Sequence, residues 1–241
     1  MYSLAALPTL GIRWSLPTRI PGKSRETRMI LNRIVYRIGL AILISVAGVS
    51  GAWAADDARG QQLYNLCAQC HGTNGGGNEV YLAPAIAGMD QWYIESQLKM
   101  FRSGARGTHP EDVGGMRMHP MSRWLKKDED ITAVASYVSS MPGARPTPTV
   151  AGGNLDAGKT YYQTCAACHG PEGQGDEAKN APALAHASDW YLVSALEKYK
   201  AGIRGGNPAN SNAVLMRGMS NILPNQQAIV DVVTYIDTLN N

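Results

Sequence analysis

The sequence has a single Phe among 241 residues, only four Cys, and charged residues at 17%. A core built on Phe is excluded, so 11 Tyr and 5 Trp must supply the large rings. At 44% hydrophobic residues the chain is too apolar for a disordered polymer. It also lacks the successive runs of about 20 apolar residues that a multi-spanning membrane protein needs. An excess of one charge is missing too. The formal net charge of +3 comes from residues 1–54, which hold seven Arg or Lys and one acid. The remainder has 15 basic and 18 acidic residues, a net of −3, so a nucleic-acid partner has no electrostatic support.

What is present begins with a leader. Arg33 and Arg37 flank an apolar run from Ile38 to Val49, and Ala52-Trp53-Ala54 reads as an A-x-A cleavage site. This pattern predicts a secretory signal peptide within leader residues 1–54, cut after Ala54, with translation starting at Met29. The run is short for a membrane span and is interrupted by Ser45 and Gly48. The mature chain of about 187 residues is then exported to a periplasm, where cysteines usually form disulfides.

The four cysteines instead fall into a repeat. Cys67-Ala-Gln-Cys70-His71 returns as Cys165-Ala-Ala-Cys168-His169, 98 residues on, and the same offset aligns 60–141 with 158–239 without a gap. Shared pairs include Gly60/Gly158, Tyr64/Tyr162, Pro84/Pro182, Trp92/Trp190, Arg106/Arg204, Met118/Met216, Met121/Met219 and Tyr137/Tyr235. Two copies of one domain are implied, 55–141 and 158–241, joined by a Pro/Gly-rich linker at 142–157.

Each copy reads as helical. Ile94, Leu98 and Phe101 make one stripe, matched by Leu192, Leu196 and Tyr199. Ile131, Val134, Ala135 and Val138 make another, matched by Ile229, Val232, Val233 and Ile236. Asp128, Glu129 and Asp130 read as a solvated, dipole-favoured first turn. The Gly-rich stretches 72–77 and 170–175 read as loops, and no βαβ alternation occurs, so the expected fold class is all-α.

C-x-x-C-H is the attachment signal for haem c: two thiols add to the two vinyl groups, and the following His supplies the proximal nitrogen. Cys67, Cys70, Cys165 and Cys168 are the expected covalent anchors, with His71 and His169 as iron ligands. The alternatives are half a zinc site, which needs a fourth ligand, or a thioredoxin-like pair, which wants a βαβ context. Domains this small, with so little Phe, also gain a core from a covalent porphyrin.

The two halves resemble tandem class I cytochrome c domains, and residues 58–240 as a whole are similar to the dihaem cytochrome c4 family. The resemblance implies two covalent haem c groups, each wrapped by a small helical domain, in an exported electron carrier. It places the sixth ligand at the earlier member of each M-x-x-M pair, Met118 and Met216, with Met121 and Met219 as alternatives. Met116 has Val214 as its counterpart and drops out; His119 beside Met118 is a minor option for the first haem. The resemblance further assigns to Pro84 and Pro182 the carbonyl that orients the proximal His, and to Gly60, Tyr64 and Tyr137 a packing role where first and last helices cross. Trp92, Trp190, Arg106 and Arg204 are candidates for contact with haem propionates, against plain packing or solvation.

The function expected is single-electron transfer between redox protein partners, without catalytic residues. The donor is a dehydrogenase or a cytochrome bc-type complex, and the acceptor an oxidase or reductase in a respiratory-type chain. Peripheral membrane association is compatible with this. The alternative is a dihaem electron-accepting subunit of a flavin or quinoprotein dehydrogenase. A dihaem enzyme such as a peroxidase needs an open sixth position, whereas both halves offer a Met at one place. Net charges of −1 for 55–148 and −2 for 149–241 favour docking through an apolar haem edge over steering by charge.

Overall fold

A computed structural model describes residues 29–30, 32–35 and 58–240. The chain divides into two units, Met1–Ala52 and Trp53–Asn241, and the helices below all belong to the second. The apolar run and the cleavage motif of the leader lie outside the described residues, although 29–30 and 32–35 are helical. Among the described residues no helix is long and apolar enough to cross a membrane.

The second unit is helical, with α1 over 58–71 followed by α2 (Gln91–Ser103), α3 (Val113–Trp124) and α4 (Asp128–Ser140). The series then repeats as α5 (Leu155–His169), α6 (Asp189–Lys200), α7 (Ser211–Ser220) and α8 (Gln226–Asp237). The strand-like features among the described residues are two isolated bridges, Asn78 to Ala83 and Asp176 to Ala181. Side-chain oxygens of Asp112, Asn154, Asn210 and Asn225 cap α3, α5, α7 and α8 by accepting from the N–H three residues on. α4 has no such cap and carries three acids in its first turn. Two of these are not merely solvated: Arg59 donates to Asp130 at 2.7 Å, and Arg102 pairs with Asp128.

In each copy the first and last helices cross. An added Cβ at Gly60 would meet the Ala133 carbonyl and lie 2.7 Å from the Tyr137 Cβ, and one at Gly158 would meet the Asp231 carbonyl and lie 2.9 Å from the Tyr235 Cβ. Tyr64 packs on Tyr137 and Tyr162 on Tyr235, with centroids 5.6 and 5.4 Å apart. Leu63, Tyr64, Leu125, Ile131, Val134 and Val138 form the core of the first copy. Tyr162, Leu192, Leu223, Ile229, Val232 and Ile236 form that of the second. The stripe on α2 is shared between core and cleft: Phe101 is buried, Ile94 and Leu98 pack against the core, and all three line a cleft.

The Pro-rich connection is pinned at both ends. Ala144 N–H donates to the Ala87 carbonyl, while Thr149 and Val150 N–H groups donate to the buried Asp189 carboxylate at the start of α6. α5 begins at Leu155, three residues inside the stretch expected to be linker, because Asn154 supplies a cap the composition did not reveal. The copies also contact each other directly. Lys198 donates to Asp112 at 2.8 Å, Arg106 to the Tyr191 hydroxyl at 3.0 Å, and the Ala85 N–H to the buried Ser188 hydroxyl at 3.1 Å.

Burial pushes the Asp112 carboxyl up, but the Lys198 ammonium, with Arg106 and the Gly115 N–H, outweighs this and holds it below the ordinary carboxylate range. The stability this contributes is therefore present above the ordinary value of about 3.9 and lost as pH falls through the folded value. Asp112→Asn keeps the α3 cap and should cost about 1–3 kcal/mol at pH 7, a difference that shrinks in acid; denaturant titrations at pH 7 and pH 3 test this. Gly158→Ala should lower stability by roughly 1–3 kcal/mol despite the better helix propensity of Ala, measured by thermal melting.

Candidate functional site

α1 and α5 each end in the C-x-x-C-H motif, so both cysteines and the histidine sit within one and a half turns. His71 and His169 are buried, at 6% and 5% exposure. Each is held by one contact: Nδ1 of His71 lies 2.8 Å from the Pro84 carbonyl oxygen, and Nδ1 of His169 lies 2.8 Å from that of Pro182. A carbonyl only accepts, so Nδ1 carries the proton and Nε2 keeps a free lone pair. Burial pushes both imidazoles below their ordinary pKa, with the proline carbonyl opposing, and so favours the neutral form a metal ligand requires.

The Gly-rich loops make this contact possible. Gly77 has φ 83°, and its N–H donates to the His71 carbonyl at 2.9 Å. A Cβ there would lie 2.5 Å from Ala85 N and 2.6 Å from the Pro84 carbonyl carbon. Gly175 has the same relation to Pro182 and Ala183. Only glycine allows both the left-handed backbone and the approach. Tyr64 and Tyr162, expected to serve packing alone, also donate their hydroxyls to the carbonyls of Gly72 and Gly170 at 2.6 and 2.7 Å. Burial raises both phenols to about 12, so they remain donors at any working pH.

Two apolar cavities meet at each histidine. An open cleft is lined by His71, Pro84, Ile94, Leu98, Arg106 and Met118, among others. A smaller space is lined by Cys67, Cys70, Met118 and Met121 as well as His71. The second copy repeats this with His169 and Met216 on both spaces, and Met219 only on the cysteine side. Met116 is 46% exposed, and His119 is turned away to the Phe101 carbonyl, 2.5 Å from its Nδ1. Both methionine pairs lie on helices, α3 and α7, that hydrophobic periodicity did not reveal.

Each cleft is completed by the other copy. Trp190, Tyr191 and Ser194 line the His71 cleft, and Trp92, Tyr93 and Ser96 line the His169 cleft. The tryptophans thus serve the partner domain, which an internal repeat cannot disclose. Between the clefts, the guanidiniums of Arg106 and Arg204 stack on Phe101 and Tyr199, 4.3 Å from each ring centroid. Nε of each is buried without a hydrogen-bond partner.

These residues fit haem c. A zinc site does not fit, because no group of three or more His, Cys, Asp or Glu residues converges among the described residues. Nor does a reactive dithiol, which needs a depressed thiol pKa: burial pushes Cys67 up to about 11 and raises Cys165. The unpartnered Arg106 and Arg204 nitrogens call for anions. Burial alone would raise the Tyr191 phenol, yet these two cations draw it down to about 7, so the pocket between the clefts seeks negative charge. The two propionates of a haem would supply it.

The cytochrome c family model matches residues 58–142 and again 155–240. The chain belongs to the cytochrome c family. It is 32% identical over 197 residues to the thiosulfate dehydrogenase electron acceptor of Stutzerimonas stutzeri (strain A1501), covering 74% of this chain and 87% of that one. It is 28% identical over 222 residues to cytochrome c4 of Stutzerimonas stutzeri, covering 87% of this chain and all of the relative. The crystal structure of reduced recombinant cytochrome c4 from Pseudomonas stutzeri superposes with a TM-score of 0.58 at 25% identity, covering 74% of this chain and 95% of that one. The protein is a dihaem electron-transfer cytochrome, similar to cytochromes c4, with two covalent haem c groups in tandem all-α domains.

Arg204 borders both clefts. Arg204→Leu removes a positive charge that favours the ferrous state, so at least one midpoint potential should fall in a spectroelectrochemical titration while the haem count stays at two.

Proposed function

We propose that this cytochrome is a periplasmic carrier that cycles single electrons between a donor dehydrogenase or bc-type complex and an acceptor oxidase or reductase. The observation that carries it is a closed donor set made twice. In each domain, divided within 142–157, a neutral buried His and a Met thioether face the same pair of cavities. Each haem supplies an iron that exchanges one electron. The chain's part is to hold the ligands still. Pro84 and Pro182 fix the imidazole planes, and Met118 and Met216 are the sixth ligands, since each borders both spaces at its histidine whereas Met121 and Met219 border one. A constant ligand set keeps reorganisation small, and apolar walls keep water from the metal.

The leader supports export, because Arg33, Arg37, the apolar run and Ala52-Trp53-Ala54 come in signal-peptide order. A second reading, the electron-accepting subunit of a dehydrogenase complex, is favoured by the two relatives named thiosulfate dehydrogenase electron acceptor. Copurification of a larger dehydrogenase with the native protein selects that reading over a free shuttle.

A thioether sixth ligand raises the reduction potential. Met118→Ala and Met216→Ala should each lower one midpoint potential and leave the other near its original value, while Met121→Ala and Met219→Ala leave both in place. Redox titration checks this; unchanged potentials in the first two variants would reassign the ligands.

A further inference from the structure

The repeat permits a comparison that a single domain would not. The repeat makes the two cysteine-side mouths equivalent positions, so a difference between them is a difference in the residues they present. The first mouth is apolar: Val80, Tyr81, Leu82 and Trp124 are 83, 49, 41 and 50% exposed. Their counterparts 98 residues on are Ala178, Lys179, Asn180 and Ile222, smaller or polar at every position, although Ile222 and Leu215 leave the second mouth partly apolar at 41 and 60% exposure. The first mouth is also fringed with cations. Arg117 lines it and donates to the Tyr81 carbonyl, and exposed Arg123, Lys126 and Lys127 flank Trp124. The counterparts of these four are Leu215, Asn221, Pro224 and Asn225, none of them charged. The carboxylates near this fringe are Glu79 beside Val80 and the exposed Asp128 and Glu129 after Lys127, of which Asp128 is paired with Arg102; Lys179 of the second mouth is paired with Asp176.

Leu82 adds an independent sign. It has φ 54°, and Asn180 in the same turn has φ 53°. Asparagine adopts this left-handed conformation readily, whereas a leucine there is strained, and Leu82 also lines both cavities at His71. Strain kept at a surface position directs attention to what that surface binds.

We propose that the first domain's haem edge is the docking face for a redox protein whose own electron-exchange edge is apolar and ringed with carboxylates. The inference rests on the carrier reading above and adds a place and a partner chemistry to it. One electron passes between the partner and the first domain's iron; the donor of the two is oxidised by one equivalent, the acceptor reduced by one, and no atom is transferred. Apolar contact excludes water at the centre of such an interface, and the four cations steer and orient the acidic rim.

The probe is flavodoxin, an acidic protein with an exposed apolar flavin edge, titrated in its oxidised form into the oxidised holoprotein by calorimetry, so that binding is read without electron flow. Replacing Val80→Ala, Tyr81→Lys, Leu82→Asn and Trp124→Ile together gives the first mouth the residues of the second, and should raise the dissociation constant about tenfold or more. Arg123→Gln, Lys126→Gln and Lys127→Gln together should flatten its salt dependence. Leu82→Asn alone should leave the melting midpoint unchanged or higher. Unchanged flavodoxin affinity in the fourfold variant, with both haems attached, overturns the proposal. So does a parent protein that ignores flavodoxin but sediments with 3:1 phosphatidylcholine:phosphatidylglycerol vesicles through the same residues, since the face would then fit a membrane. Haems that fail to cycle reversibly with dithionite and ferricyanide would instead refute the carrier reading.

Discussion

The hydrogen bond from His Nδ1 to a proline carbonyl, made at 2.8 Å in both domains, is the contact on which the remaining architecture converges. It selects the tautomer, fixes the ring plane and leaves Nε2 as the only nitrogen able to bind metal. Forming it requires a loop that returns within 13 residues to the helix it left. That return demands glycine at 77 and 175, where any side chain would collide with the proline's own peptide. The Tyr64 and Tyr162 hydroxyls close the same turn from inside. A loop whose regular structure is one short 3-10 helix and one isolated bridge is thus tied down, because the Gly77 and Gly175 N–H groups donate to the helix that carries the C-x-x-C-H motif.

The second constraint is reciprocal. Each domain leaves its haem cleft open on one side, and the other domain closes it with a Trp, a Tyr and the start of a helix. The contact is polar where the domains touch, through Lys198 with Asp112, Arg106 with Tyr191, and Ser188 with the Ala85 backbone. Ala85 adjoins Pro84, so the interface reaches within one residue of the carbonyl that orients His71. Separating the domains would expose both clefts and take the Tyr191 hydroxyl away from Arg106 while leaving it beside Arg204. The pair is therefore one functional body, which suits electron exchange between two centres better than two independently tumbling modules would.

Much of this was legible in the residues. The C-x-x-C-H motifs and the gapless offset pointed to two haem sites, the family resemblance singled out the paired prolines, and the stripes on α4 and α8 marked the buried helices. What escaped did so for physical reasons. Gly114, Gly115 and Pro120 interrupt the pattern of α3, and its apolar face is turned to a cofactor cavity instead of to protein. The crossing of Trp92 and Trp190 into each other's domains is invisible to a repeat, which reports that two residues correspond but not which copy each one serves. Net charge per half suggested weak electrostatics throughout, yet it averaged away the cations at 117–127 that have no counterpart in the second half. The linker composition did not show that Asp189 would anchor it.

The central claim is that both irons are six-coordinate through protein ligands and exchange electrons without opening a site. Carbon monoxide binding to the dithionite-reduced holoprotein tests it most directly, with haems per chain counted on the same sample in alkaline pyridine. The account predicts two haems and a visible spectrum that carbon monoxide leaves unchanged. Rapid uptake at either haem would contradict it, and would mean a displaceable sixth ligand and a dihaem enzyme in place of a carrier.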